Sequence, residues 1–125
     1  MLFILRLPGI NGDFTKEAVM KAKLVVSDLW EGMEVQFYRK TELEFVPADG
    51  MQFNFAPEAF ELLVDTTIWY HDEGLIIVIF KDVEHIRKED FIDSIRAILK
   101  SNGWEYLADK KGGEIIDMIL KEAEA

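Results

Sequence analysis

Leu75-Ile76-Ile77-Val78-Ile79-Phe80 is the longest purely apolar run in this 125-residue chain. Six residues fall far short of the ~20 that cross a bilayer as a helix, and the run is rich in β-branched side chains. It reads as a buried strand. A strand that is apolar at every position belongs inside a sheet, with both faces covered.

The residues on either side extend this reading. Thr66-Thr67-Ile68-Trp69-Tyr70 is β-prone, and His71-Asp72-Glu73-Gly74 is a turn signal, so 66–71 and 75–81 form a hairpin. Before it, Pro57 suits a first helical position, which predicts a short helix from Pro57 to Val64 with Phe60, Leu63 and Val64 inward. The competing reading is one long helix from Pro57 to His71. After it, Phe91, Ile92, Ile95, Ile98 and Leu99 recur with helical spacing, which predicts a helix over Lys88–Ser101 packed on the Leu75–Phe80 strand. Asn102-Gly103 closes that helix. Trp104–Leu107 is a returning strand and 110–113 a loop. Gly113–Glu124 is a last amphipathic helix with Ile115, Ile116, Ile119 and Leu120 on its apolar face.

Towards the N-terminus, 2–7 reads as a strand and 8–14 as a loop. Ala18, Ala22, Val25 and Leu29 fall on one helical face, so Thr15–Trp30 reads as a helix closed by Gly32. A strand at Lys23–Leu29 is the alternative. Glu34–Lys40 alternates as a half-buried strand. Asp49-Gly50 marks a turn, giving a hairpin or bulged strand across 42–55. The expected fold is a single α+β domain over 1–125, with a mostly antiparallel sheet of five or six strands and three or four helices. The edge segment 51–55 leaves a homo-oligomer open.

Composition narrows the function. The formal net charge is −10, and there is no cysteine. Disulfides, thiolate catalysis and Cys-ligated metals are excluded by inventory, and a cytoplasmic home is favoured. The acidity disfavours nucleic acid and anionic membranes. The charge is concentrated: residues 41–80 hold eight carboxylates (Glu42, Glu44, Asp49, Glu58, Glu61, Asp65, Asp72, Glu73) and no Lys or Arg. The same stretch carries seven of the fifteen aromatics. Acid without counter-charge makes a negative field that attracts a basic partner, and aromatics anchor interfaces.

Recognised chemical motifs are absent. Pro8–Gly12 lacks the Walker lysine and the Gly-x-Gly-x-x-Gly spacing. Gly112-Gly113 beside Lys110 and Lys111 is a second bare loop. Ser27, Ser94 and Ser101 sit in no nucleophile elbow; a triad can be drawn from Ser94, His85 and Asp90, but any chain offers such trios. His71 with Asp72 and Glu73, and His85 with Asp82 and Glu84, are local His–acid groups. The hairpin places these two groups at opposite ends.

The expected function is therefore a non-enzymatic binding protein, of the inhibitor, immunity or assembly type. It contacts a basic protein through Glu42, Glu44, Asp49, Glu58, Glu61, Trp69, Asp72 and Glu73, with no cofactor, metal, nucleic acid or membrane. The alternative is a small enzyme or ligand- or metal-binding domain that uses His71 or His85 with neighbouring carboxylates.

Overall fold

The structure, a computed structural model, describes residues 19–55 and 60–124. The strand at 2–7 and the loop at 8–14 lie outside these residues, as does Glu58. Among the described residues are seven strands and two helices, forming one mixed sheet in an α+β fold. The strands are β1 (Met20–Trp30), β2 (Met33–Leu43), β3 (Gln52–Phe55), β4 (Phe60–Tyr70), β5 (Leu75–Phe80), β6 (Val83–Glu84) and β7 (Trp104–Ala108). The helices are α1 (Lys88–Lys100) and α2 (Lys110–Glu124). The sheet order is β3-β4-β5-β1-β2-β7, and β6 also pairs with β1.

The largest correction concerns β1. The segment expected as a helix is a strand from Met20 to Trp30. Its pattern alternates: Ala22, Leu24, Val26 and Asp28 are buried, whereas Lys21 is exposed and Lys23 and Val25 are half-buried. Period two wins because both edges of the segment find strands. β2 runs antiparallel to it from Met20↔Leu43 to Trp30↔Met33. β5 runs parallel to it over Lys21–Val25, and β6 continues that pairing at Asp28 and Leu29. Gly32 has positive φ, as a helix cap would, but it serves a two-residue hairpin turn with Glu31. Positive φ at both residues is the I′ pattern that matches strand twist.

β4 brings the second correction. The helix predicted from Pro57 to Val64 is, from Phe60 onward, an 11-residue strand, which excludes the long-helix alternative as well. Strand alternation is plain in it: Leu62 and Val64 are buried, and Glu61 and Leu63 are exposed. Asp65 is an extra residue between Val64↔Phe80 and Thr66↔Ile79, so β4 carries a bulge there. A bulge bends a strand. The bend shows in the contacts. β3 and β7 lie at opposite ends of the strand order, yet the Phe55 and Trp104 rings are 5.4 Å apart. The β3–β4 hairpin thus folds over one face of the sheet. Under it, Phe53 and Phe80 pack edge to face at 5.2 Å. Arg39 has its guanidinium carbon 6.0 Å from the centres of both Phe55 and Trp104. β3 pairs with β4 rather than β2, so 42–55 is not a hairpin.

α1 crosses the same face against β1 and β4, and α2 lies against β2 and β7. Phe91, Ile95, Ile98, Ile116 and Ile119 fill the space between helices and sheet. α2 begins three residues before the predicted Gly113 because Asp109 caps it. Gly112 N donates to Asp109 Oδ1 at 2.7 Å, an N-cap to N3 bond. A Cβ at Gly112 would lie 2.9 Å from Val35 Cγ2, so the glycine lets α2 approach β2.

β5 is interior, as its composition predicts. Ile76, Val78 and Phe80 are buried under the helices and hairpin, whereas Leu75, Ile77 and Ile79 on the other face are half-buried among the described residues. The expected cover is complete on one face only.

Glu31 sits at φ +46°, a left-handed conformation that costs a side-chain-bearing residue about 1 kcal/mol. Glu31→Asn, which tolerates that region, is expected to raise unfolding stability by about 0.5–1 kcal/mol in urea titrations with an unchanged m-value.

Candidate functional site

Two places in the fold carry chemistry. The first is the open half of β4. β3 pairs only with Phe60–Leu63, so among the described residues Thr66–Tyr70 has no strand on its outer side. Ile68, Trp69 and Tyr70 are all exposed, Trp69 by 43%. Tyr70 leads into a short 3-10 turn, His71–Glu73, which Gly74 closes in left-handed conformation. The Trp69 and His71 rings meet edge to face at 6.3 Å.

The acidic residues distribute around this strand. Asp72 and Glu73 lie in the turn at its end. Cross-strand register then runs Tyr70, Leu75, Lys21, Glu42, so Glu42 belongs to the same end of the sheet. Glu44 lies just past β2, not on its face beside Glu42. Glu61 and Asp65 sit towards the other end of β4. Asp49 lies beside them, because Gly50 N donates to Val64 O at 2.7 Å. All seven described carboxylates of 41–80 are exposed, and none joins an ion pair among the described residues. Nor do His, Asp and Glu converge there in threes that could hold a metal ion. The two histidines stand far apart. His71 follows the Tyr70–Leu75 pair opposite Lys21, and His85 follows Glu84 opposite Leu29. Lys21 and Leu29 are eight residues apart on β1, on the order of 26 Å of extended chain.

The second place is around Asp28. This side chain is fully buried in β1. Its Oδ1 lies 2.7 Å from His85 Nε2 and accepts a hydrogen bond from Ser94 Oγ at 2.9 Å. β6 puts His85 there by pairing with β1, and His85 N donates to Leu29 O at 2.9 Å. α1 supplies Ser94. Phe91, also from α1, packs between the Trp30 ring at 5.9 Å and the His85 ring at 5.8 Å. Asp28 Oδ2 and Trp30 Nε1 are buried without a hydrogen-bond partner among the described residues. Burial raises the Asp28 carboxyl above its ordinary 3.8, against the lowering effect of the His85 and Ser94 hydrogen bonds.

Ser94 and His85 therefore do meet, but on Asp28 and not on Asp90, which pairs with Arg87 at 3.2 Å. The order of the groups also differs from a hydrolytic triad. There the imidazole stands between nucleophile and acid; here the acid stands between the hydroxyl and the imidazole. The Ser94 hydroxyl donates its hydrogen bond to a carboxylate and not to an imidazole, so it is not activated for attack. The arrangement instead fixes the ring. With Asp28 ionised, its Oδ1 accepts the Nε2 proton as a hydrogen bond, and this contact orients the ring. Among the described residues Nδ1 has no partner.

Sequence reading missed Asp28 because a helix hides the parity that buries it. Read as a strand, Ala22, Leu24, Val26 and Asp28 share one inward face, and an acid in an inward series signals a buried partner. Compared with known proteins, the chain matches no family model, no curated protein and no solved structure.

A buried acid with a raised pKa keeps its proton longer in the folded state than in the unfolded state. Its contribution to stability therefore falls as pH climbs from 3.8 through the folded-state value, and then levels off. The difference in stability between the native chain and Asp28→Asn should fall over that interval in pH-dependent urea unfolding. His85→Ala strands the buried carboxylate and should cost about 3 kcal/mol at neutral pH, more than Asp28→Asn.

Proposed function

We propose that the protein is a non-enzymatic binding module for a basic partner protein, with the open half of β4 as the contact strand. The observation that carries this reading is the exposure of Ile68, Trp69 and Tyr70 on a strand edge flanked by Asp65, Asp72 and Glu73, which join no ion pair among the described residues. An exposed edge offers backbone hydrogen bonds to an added strand. Large aromatic side chains supply the anchors that dominate interface energy. The surrounding carboxylates speed encounter with a positive surface, and that effect weakens with salt. Glu42 extends the negative charge along the same end of the sheet, with Glu44 just past β2. No helix among the described residues is long and apolar enough to cross a membrane.

The test separates steering from anchoring. A partner is isolated by retention of the purified chain's binders from native lysate at low salt. Replacing Glu42, Asp65, Asp72 and Glu73 by the matching amides should slow association about tenfold and flatten its salt dependence, with little change in dissociation. Trp69→Ala should do the reverse, speeding dissociation about tenfold or more. Unchanged affinity and salt dependence in the fourfold variant would remove the electrostatic role, leaving the acids as a solubilising coat.

A further inference from the structure

The open half of β4 restricts what can lie against it. Edge strands are commonly guarded by charged residues or proline, which discourage an added strand. Thr66–Tyr70 contains neither, and among the described residues no strand covers its outer side. Charge stands only beyond its ends, with Asp65 before it and Asp72 and Glu73 in the turn after it. All three are exposed, and none joins an ion pair among the described residues.

Register assigns the two faces of this segment. Residues directly opposite across an antiparallel pair share a face. Thr67 and Trp69 stand opposite the buried Val78 and Ile76, so they belong to the face that carries the helices. The Thr67 hydroxyl donates to Pro47 O at 3.0 Å, which brings the connection between β2 and β3 to that face, with Phe45 and Val46 exposed. Thr66, Ile68 and Tyr70 stand opposite Ile79, Ile77 and Leu75 on the other face, and those three partners are half-buried. Both faces of the edge therefore offer apolar surface and hydroxyls, and neither offers a charge within the segment.

We propose that the partner docks here as an added strand: an extended segment of about five β-branched or aromatic residues, with Lys or Arg just beyond each end. This rests on the reading of β4 as the contact strand for a basic partner, and it names the part of that partner which the edge takes. Backbone hydrogen bonds along Thr66–Tyr70 hold the segment, and its uncharged middle packs beside Ile68 and Trp69. Its basic ends fall near Asp65 and Asp72 whichever way the strand runs. A second copy of this chain fits the edge poorly. Two copies paired antiparallel about a two-fold axis at Ile68 would set Asp72 of each near Asp65 of the other, like charge beside like.

The experiment follows amide exchange in the full chain by NMR during titration with two blocked heptapeptides of one composition. Lys-Val-Thr-Val-Thr-Val-Lys carries its charges at the ends, and Val-Thr-Lys-Val-Lys-Thr-Val carries them inside. The expected result is slowed exchange at alternate amides within Thr66–Tyr70. The end-charged peptide should bind about tenfold tighter, the difference expected of two opposite-charge cross-strand pairs. Asp65→Asn/Asp72→Asn should erase that preference without removing the protection. Ile68→Lys, which adds the missing guard, should remove the protection while the Leu24–Asp28 amides exchange as before. Equal binding by the two peptides, or no slowing in Thr66–Tyr70 with either, would overturn the proposal. A lysate partner that depends on the four carboxylates and on Trp69, yet leaves the Thr66–Tyr70 amides unprotected, would uphold the broader reading and overturn strand addition. Protection by the end-charged peptide, with no salt-sensitive partner in lysate, would do the reverse.

Discussion

Everything in this fold hangs on the pairing of β1 along both of its edges. One edge is taken by β2 over its whole length, the other first by β5 and then by β6. A central strand satisfies its backbone donors and acceptors in the sheet and spends one face on the core. The same pairing carries His85 to Asp28 across 57 residues of sequence, because β6 is held in register against Asp28 and Leu29. The chemistry at that end of the sheet thus follows from strand register, and α1 completes it with Ser94 and Phe91.

The bulge at Asp65 is the second constraint. It lets one strand serve two purposes: the Phe60–Val64 half turns inward with β3 and closes the aromatic core, while the Thr66–Tyr70 half remains as an open edge. This division changes the meaning of the acidic, aromatic middle of the chain. Much of that interleaving is strand alternation. Phe53, Phe55, Phe60 and Phe80 pack against or within the core, and the described carboxylates between them are exposed. The surplus that packing does not explain is smaller and more localised: Trp69, Tyr70 and Ile68 outside the core, next to acids that have no counter-charge among the described residues.

Elements whose local pattern agrees with their tertiary setting were legible in the sequence. β5, the 71–74 turn, α1 and β7 fall where composition and periodicity put them, within a few residues. β1 was not, because Ala22, Val25, Val26 and Leu29 fit a helical stripe as well as a strand, and a left-handed Gly32 suits a helix end as well as a hairpin. Only the partners on both edges decide between them. The N-terminal half of β4 was lost to a helix reading that began at Pro57. Trp69, Asp72 and Glu73 lie in the open half of β4 and the turn that follows it, whereas Glu44 lies just past β2 and Asp49 beside Val64. The Asp28–His85–Ser94 contact was beyond sequence reading, since its members come from three elements and their meeting depends on the strand parity of β1.

The most direct test of this architecture is native-state hydrogen exchange of the backbone amides, assigned by NMR and supported by cross-strand proton contacts. A central β1 requires the amides of Leu24–Asp28 to be among the slowest to exchange, close to the limit set by global unfolding. It also requires cross-strand contacts from β1 to both β2 and β5. Rapid exchange in Leu24–Asp28, or helical i to i+3 contacts along that segment, would contradict the central strand and everything built upon it.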